Sequence, residues 1–259
     1  MEIAISGIVI IFLLLPGISF NKGFYSGEFS RQYLSNDFYS LLINTLFPSV
    51  IIYFIAFPFV YFPFGYYYDF KILLGIISSN DELVKNSIEK VSDFIIEIIL
   101  FQILINILSF ILGVFARNQI LKHSLDAKNH MLRFNNIWHY LVSARFLQYN
   151  NILMQDSPED VDLTFVDALV NINDNTFIYT GILIDYQLGK DGTLDLLIIT
   201  KAQRKLVTGN DNGDYKDIRG NYLILKYSDL INVNFSFIQF DETLDNSGNI
   251  TGVIPRIIC

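Results

Sequence analysis

The sequence predicts a membrane α-helical bundle of about three transmembrane helices, joined to a small all-β cytosolic barrel. Apolar stretches run over Ile3–Phe20, Phe38–Tyr68 and Phe94–Phe115, and nothing comparable follows. Residues 1–116 hold 5 Lys/Arg and 9 Asp/Glu, whereas residues 117–259 hold 13 and 17. After about residue 160 the apolar pattern changes to period two, the spacing of half-buried strands. Three regions are therefore expected: 1–116 transmembrane, 117–155 a helical neck and linker, and 156–259 a β domain.

A bilayer core about 30 Å thick takes about 20 apolar residues as helix. The first stretch meets this with 18 residues and the third with 22. The first begins Met1-Glu2 without a basic residue and ends without an A-x-A site. It is expected to be retained rather than cleaved as a signal peptide, with Pro16-Gly17 ending or bending it. The second holds Pro48, Pro58 and Pro63. A span from about Phe38 to Phe59, kinked near Pro48, is expected, followed by an aromatic exit segment (Tyr61–Tyr68) at the headgroups. Ser79-Asn80-Asp81-Glu82 reads as a capping box. From there to Gly113 there is no Gly or Pro, which predicts one helix roughly 50 Å long. Helical spacing through Leu121, Leu125, Leu132, Ile137 and Leu141 predicts a helical neck, continuous or broken.

Orientation follows Lys/Arg near the ends of the spans. The first loop carries Lys22 and Arg31, and the second carries Lys71, Lys85 and Lys90 among five acids. Arg117, Lys122, Lys128, Arg133 and Arg145 follow the third stretch. This basic cluster places the C-terminal half in the cytoplasm and the N-terminus outside.

Polar groups inside a span are costly and are often functional. Gln102, Asn106, Ser109 and Gly113 recur at helical spacing on one face of the third stretch. Such a stripe either lines a pore or packs helices, and small-residue stripes commonly do the latter. Glu97 is a candidate ionisable site, or lies near the interface, snorkelling or paired. Asn44 and Thr45 are candidate partners for either.

In the second half, Gln155–Asp160 reads as a linker. Strands are expected over Val166–Ile172, Thr176–Asp185, Thr193–Thr200, Asn221–Tyr227 and Ile231–Phe240. Asp174-Asn175 and Gly189-Lys190-Asp191-Gly192 are turns, Gly209–Asp217 is a polar loop, and Gly181 marks a bulge or bend in the second strand. Disorder is the default for the tail Thr251–Cys259, which otherwise packs on the barrel or docks elsewhere.

This order of strands, with a Gly-bent second strand and a hydrophobic strand leading into Ser228-Asp229-Leu230-Ile231, is similar to SH3-like and Sm-like small barrels over about residues 163–240. With Leu15-Pro16-Gly17-Ile18 near the start, the layout resembles an uncharacterised family of bacterial membrane proteins that carry spans and then a small SH3-like β domain. The resemblance implies architecture and a place in the bacterial inner membrane, and no activity. The layout is also similar to small-conductance mechanosensitive channels, which place three spans before an Sm-like domain. Their pore helix is rich in Gly and Ala, whereas the third stretch here is rich in Ile, Leu and Phe.

Candidate chemistry is sparse. His123, Asp126 and His130 share one helical face, but metal binding needs a further ligand. His139, between Trp138 and Tyr140, reads as structural. Asp211, Asp214 and Asp217 lack the ligand spacing and terminal Glu of a calcium loop. No catalytic residue, metal site or cofactor is expected. The single cysteine, Cys259, allows no intramolecular disulfide. The formal net charge of −8 argues against direct nucleic-acid binding. The expected partners are the lipid bilayer, a cytosolic protein and further copies of the chain. The expected function is a non-enzymatic membrane anchor or sensor. The alternative is an oligomeric channel or membrane-disrupting effector, for example in antiphage defence. Protease added outside intact cells is expected to leave the C-terminal half uncut and to cut it after the membrane is permeabilised; cleavage in intact cells contradicts this topology.

Overall fold

The apolar stretches become the three longest helices of the chain. The computed structural model describes residues 2–30, 38–78, 80–149, 157–173, 175–189, 191–207, 214–244 and 250–258. Sequence readings at Arg31, Ser79, Gln155, Asp156, Asp174, Lys190, Gly209–Gly213 and Cys259 lie outside the described residues. The chain divides into two units, Met1–His123 and Ser124–Cys259.

In the first unit the helices are α1 (Glu2–Phe24), α2 (Phe38–Phe64), α3 (Phe70–Ile77), α4 (Asp81–Asp93) and α5 (Ile95–Lys122). Helices α1, α2 and α5 are each long and apolar enough to cross a bilayer. Helix α2 runs on through Pro48, Pro58 and Pro63 to Phe64, five residues past the expected end. Gly65, at φ +69°, then turns the chain in the left-handed region open to glycine.

The expected single 50 Å helix is two helices. Phe94, at φ −119° and ψ 21°, separates α4 from α5, and its N–H closes a short turn onto the Val91 carbonyl. The physical reason is a change of environment. Helix α4 is amphipathic and buries Val84 and Ser87, whereas α5 is apolar around most of its circumference and packs mainly on α1. A straight rod cannot present both faces correctly. Asn80 is the N-cap of α4, its side chain accepting from the Glu82 and Leu83 amides.

The neck expected over residues 117–155, continuous or broken, is broken over its described residues. Ser124 and Ala144 adopt left-handed conformations (φ +49° and +56°). Between them lie the short helices α6 (Leu125–Lys128) and α7 (Ile137–Val142). Residues from Ser124 onward belong to the second unit. Trp138 of α7 packs on the β core and meets Tyr227 edge-on at 5.3 Å. The Thr164 hydroxyl donates to the Val142 carbonyl at the end of α7. Of the apolar positions in this stretch, Trp138 and Leu141 turn toward the strands, whereas Leu125 and Ile137 are exposed.

The strands are β1 (Leu163–Ile172), β2 (Asn175–Leu188), β3 (Leu194–Leu206), β4 (Lys216–Asp217), β5 (Leu223–Lys226), β6 (Leu230–Leu244) and β7 (Ile250–Ile258). They form a curled antiparallel half-barrel in the order β4-β3-β2-β1-β6-β7, with β5 also paired to β3. Val166, Ala168 and Val170 point inward at period two and meet Tyr179, Leu197, Ile199 and Leu225. The first turn sits one residue earlier than expected, with Ile172 opposite Asn175 and Asn173 at φ +48°. The tail expected by default to be disordered is strand β7. It pairs with β6 from Phe237 to Leu244, and its Ile258 packs against Ala144 and Leu147. Pro255 is tolerated because β7 pairs on one side only.

Gly181 is the bend. The β2–β3 register slips between Thr180 and Ile182, opposite Lys201 at φ +49°. A Cβ at residue 181 would stand 2.8 Å from the Thr200 carbonyl and 3.1 Å from Ile199 Cδ1. Gly181→Ala is therefore expected to destabilise the second unit by about 1–3 kcal/mol. The measurement is urea unfolding of the full chain in detergent, followed by the emission of its single tryptophan, Trp138.

Candidate functional site

Two prolines in the long helices create the chemistry of the first unit. A helical proline has no N–H and leaves the carbonyl four residues earlier without its donor. Pro16 strands the Phe12 carbonyl and Pro48 strands the Asn44 carbonyl. Side-chain amides from neighbouring helices reach both. Gln102 Nε2 of α5 donates to Phe12 O at 2.8 Å, and Asn21 Nδ2 of α1 donates to Asn44 O at 3.2 Å. Beside the first break, the Gly17 N–H donates to Ser49 Oγ at 3.0 Å. The Ser49 hydroxyl in turn lies within bonding distance of the Thr45 and Leu14 carbonyls.

Gln102 is the hub. It is buried at 5% exposure, and its Oε1 accepts from the Tyr53 hydroxyl of α2 at 3.0 Å. Asn106 donates from Nδ2 to the Gln102 carbonyl at 2.6 Å and accepts from Ser19 Oγ at 2.8 Å. Ser109 is fully buried and bonds back to the Ile105 carbonyl. Gly113 lies against the backbone of Phe20 and Phe24, and Gly23 lies against that of Phe110 and Val114. A side chain at either glycine would enter the facing main chain. The sequence-predicted stripe thus lies on the α1 side of α5, with Gln102 reaching α2 as well.

Pairing by residue sets the directions. Phe12 meets Gln102 while Gly23 meets Phe110, so α1 and α5 run parallel. Gly17 meets Ser49 while Asn21 meets Asn44, so α2 runs antiparallel to α1. Arg117 reaches from α5 to the chain just beyond α1, donating to Ser26 O at 2.7 Å and Ser26 Oγ at 2.5 Å. It joins the two C-terminal ends, where helix dipoles favour cations.

The other sequence candidates scatter. Glu97 is exposed in the first turn of α5. Lys122 and Lys128 are exposed, and the Arg133 guanidinium lies 3.9 Å above the Tyr149 ring. Asn44 offers its main-chain oxygen, and the Thr45 hydroxyl bonds back to Leu41 O, so neither side chain serves the stripe as expected. Asp126 is buried at 1% exposure, 3.7 Å from Arg145, while His130 is exposed. Among the described residues no group of three His, Cys, Asp or Glu could hold a metal ion. The Tyr140 hydroxyl accepts from the Phe134 amide at 3.1 Å. Burial, offset in part by that bond, holds its phenol well above the ordinary range. In the exposed turn after β2, bonds from the Thr193 hydroxyl and amide hold Asp191 below the usual carboxylate range.

The second unit also contains a groove of about 480 Å³ beside β6, lined by Trp138, Leu141, Tyr227, Leu230, Val233 and Phe235 among others. Strand β6 pairs with β1 over Leu230–Ile238 and with β7 only from Phe237 onward. Among the described residues, the second edge of β6 before Phe237 is therefore open. Sequence reasoning missed the groove because it needs α7, Tyr227 and β6 together. It also missed Asn21, Ser49 and Tyr53, although the two prolines signalled which carbonyls needed donors.

Comparison with known protein families, curated proteins and solved structures finds no match.

Gln102→Leu is expected to destabilise the first unit by about 1–2 kcal/mol, because a buried carbonyl loses its donor. In a Pro16→Ala background the restored N–H serves Phe12, and the loss is expected to shrink by on the order of 1 kcal/mol. Unfolding of the four proteins in mixed detergent–SDS micelles, read by helical circular dichroism, measures this coupling.

Proposed function

We propose that this protein is an integral membrane anchor whose β unit docks a cytosolic protein partner by an extended apolar segment. Insertion is supported by the three long apolar helices, whose outward faces carry Phe54, Phe62, Ile96, Leu100, Ile107 and Ile111 in exposed positions. The topology is supported by the parallel course of α1 and α5. It puts Lys22, Arg117 and Lys122 at one end of the unit and Glu97 at the other. The basic end faces the cytoplasm in this reading. The bent second strand and strand order of the half-barrel support kinship with SH3-like and Sm-like barrels.

The observation that carries the docking reading is the open edge of β6 beside an apolar groove. A free edge offers main-chain donors and acceptors to an added strand, and the groove offers pockets for its side chains. Ile231 and Asn232 are exposed at this edge. Anchoring is favoured over conduction by the polar stripe, because Gln102 and Asn106 bond to groups of the same chain and Gly113 is closed by α1.

A photo-crosslinking residue in place of Tyr227 is the test, applied in cells at native expression. The reading expects one discrete heterologous adduct, lost with Ile231→Lys and not formed from Tyr222, which is exposed and outside the groove lining. Adducts of the chain with itself alone, or equal labelling from Tyr222, contradict it.

A further inference from the structure

The short helix α3 and its partner α4 form a hairpin that the anchor reading leaves unused. Helix α3 has one charge, Lys71, in eight residues. At about 1.5 Å per residue it is roughly 12 Å long, too short to cross a bilayer. One side is covered, since Gly75 is buried with its α-carbon against the Ser87 side chain of α4. The other side is bare. Phe70, Leu74 and Ile77 stand at i, i+4 and i+7, with 67%, 66% and 38% exposure. Helix α4 has the opposite character: Asp81, Glu82, Lys85, Glu89, Lys90 and Asp93 are all exposed. The pair therefore has an apolar face and a polar cover.

Its depth along the bundle follows from aromatic contacts. After α2 ends at Phe64 the chain turns back. The Tyr68 hydroxyl donates to the Tyr53 carbonyl at 3.2 Å, eleven residues before the end of α2. The Tyr68 ring lies 5.5 Å from Phe57 and 6.4 Å from Phe101. Tyr66 meets Phe94 at 6.5 Å, at the start of α5. Asp69, the N-cap of α3, thus follows a chain segment that lies at the Phe94 end of the bundle, with the Tyr68 side chain reaching inward from it. The bare face of α3 is continuous in the chain with exposed Phe62, Phe64, Tyr66 and Tyr67.

We infer that α3 lies in the membrane interface at the end of the bundle away from Arg117, its Phe70–Leu74–Ile77 face immersed at the headgroup–acyl boundary and α4 shielding it from water. The occupant of this face is lipid. A short apolar helix under a charged cover has the character of an interfacial element, and tyrosines at this level suit the same zone. The inference rests on the membrane reading above.

The test uses the full chain in phosphatidylcholine–phosphatidylglycerol vesicles. In a Cys259→Ser background, a nitroxide is attached at Leu74→Cys, Lys85→Cys or Ile107→Cys, the last on the exposed face of α5. Accessibility to oxygen is compared with accessibility to a water-soluble nickel chelate. The inference expects oxygen to dominate at residues 74 and 107 and the chelate to dominate at residue 85. A label at 74 that behaves like the label at 85 overturns it, by placing α3 in water. Exclusion of both reagents at 74 also overturns it, by showing protein rather than lipid on that face. Chelate dominance at 107 would instead defeat the membrane reading beneath it.

Discussion

The hydrogen bond from Gln102 to the Phe12 carbonyl is the interaction on which the first unit depends. Pro16, inside the continuous helix α1, leaves one acceptor without a donor; the amide on α5 answers it. The same amide receives the Tyr53 hydroxyl, so one side chain joins α1, α2 and α5. In an apolar surrounding an unanswered carbonyl is expensive, so this contact selects one register of α1 against α5. The close approach at Gly23 and Gly113 then becomes geometrically available, and Arg117 closes the end. Pro48 and Asn21 repeat the logic between α1 and α2. Such bonds are individually modest, averaging about 0.6 kcal/mol in membrane proteins. Their contribution here is specificity of register as much as stability.

The second unit solves a different problem. A short sheet cannot bury both faces, so it curls, and the curl needs a residue without a side chain at Gly181. Among the described residues, curling leaves an open edge at β6, and Trp138 from α7 fills part of the space beside it. The open edge that a stable barrel would close is also the feature that suits docking. Edges of this kind are usually protected, which is a reason to regard the groove beside β6 as a binding surface.

Much of the architecture was legible in the sequence because it rests on local pattern. The long apolar helices, the period-two strands and the bend at Gly181 are all readable from neighbours in the chain. The break at Phe94 was not, because nothing in Ser92-Asp93-Phe94 forbids helix; the different faces required of α4 and α5 impose it. Strand β7 was equally hidden, since Ile258 finds its packing partners at Ala144 and Leu147, more than 100 residues away. The stripe Gln102–Gly113 was visible as spacing, but its bonding partners were not. Asn44 and Thr45 looked suitable by polarity, whereas the structure uses the Phe12 carbonyl, Tyr53 and Ser19. A proline four residues after an apolar position would have pointed to that carbonyl.

The central claim is that Gln102 supplies the donor that Pro16 removes. The Phe–Leu peptide occurs at Phe12–Leu13 and Phe146–Leu147 alone. Protein labelled with carbonyl-¹³C phenylalanine and ¹⁵N leucine therefore yields two assignable carbonyl signals by solid-state NMR in lipid. The Phe12 signal is predicted to move upfield in Gln102→Leu as its hydrogen bond is lost, while the Phe146 signal stays in place. A Phe12 signal that does not move in a folded Gln102→Leu protein would contradict the account.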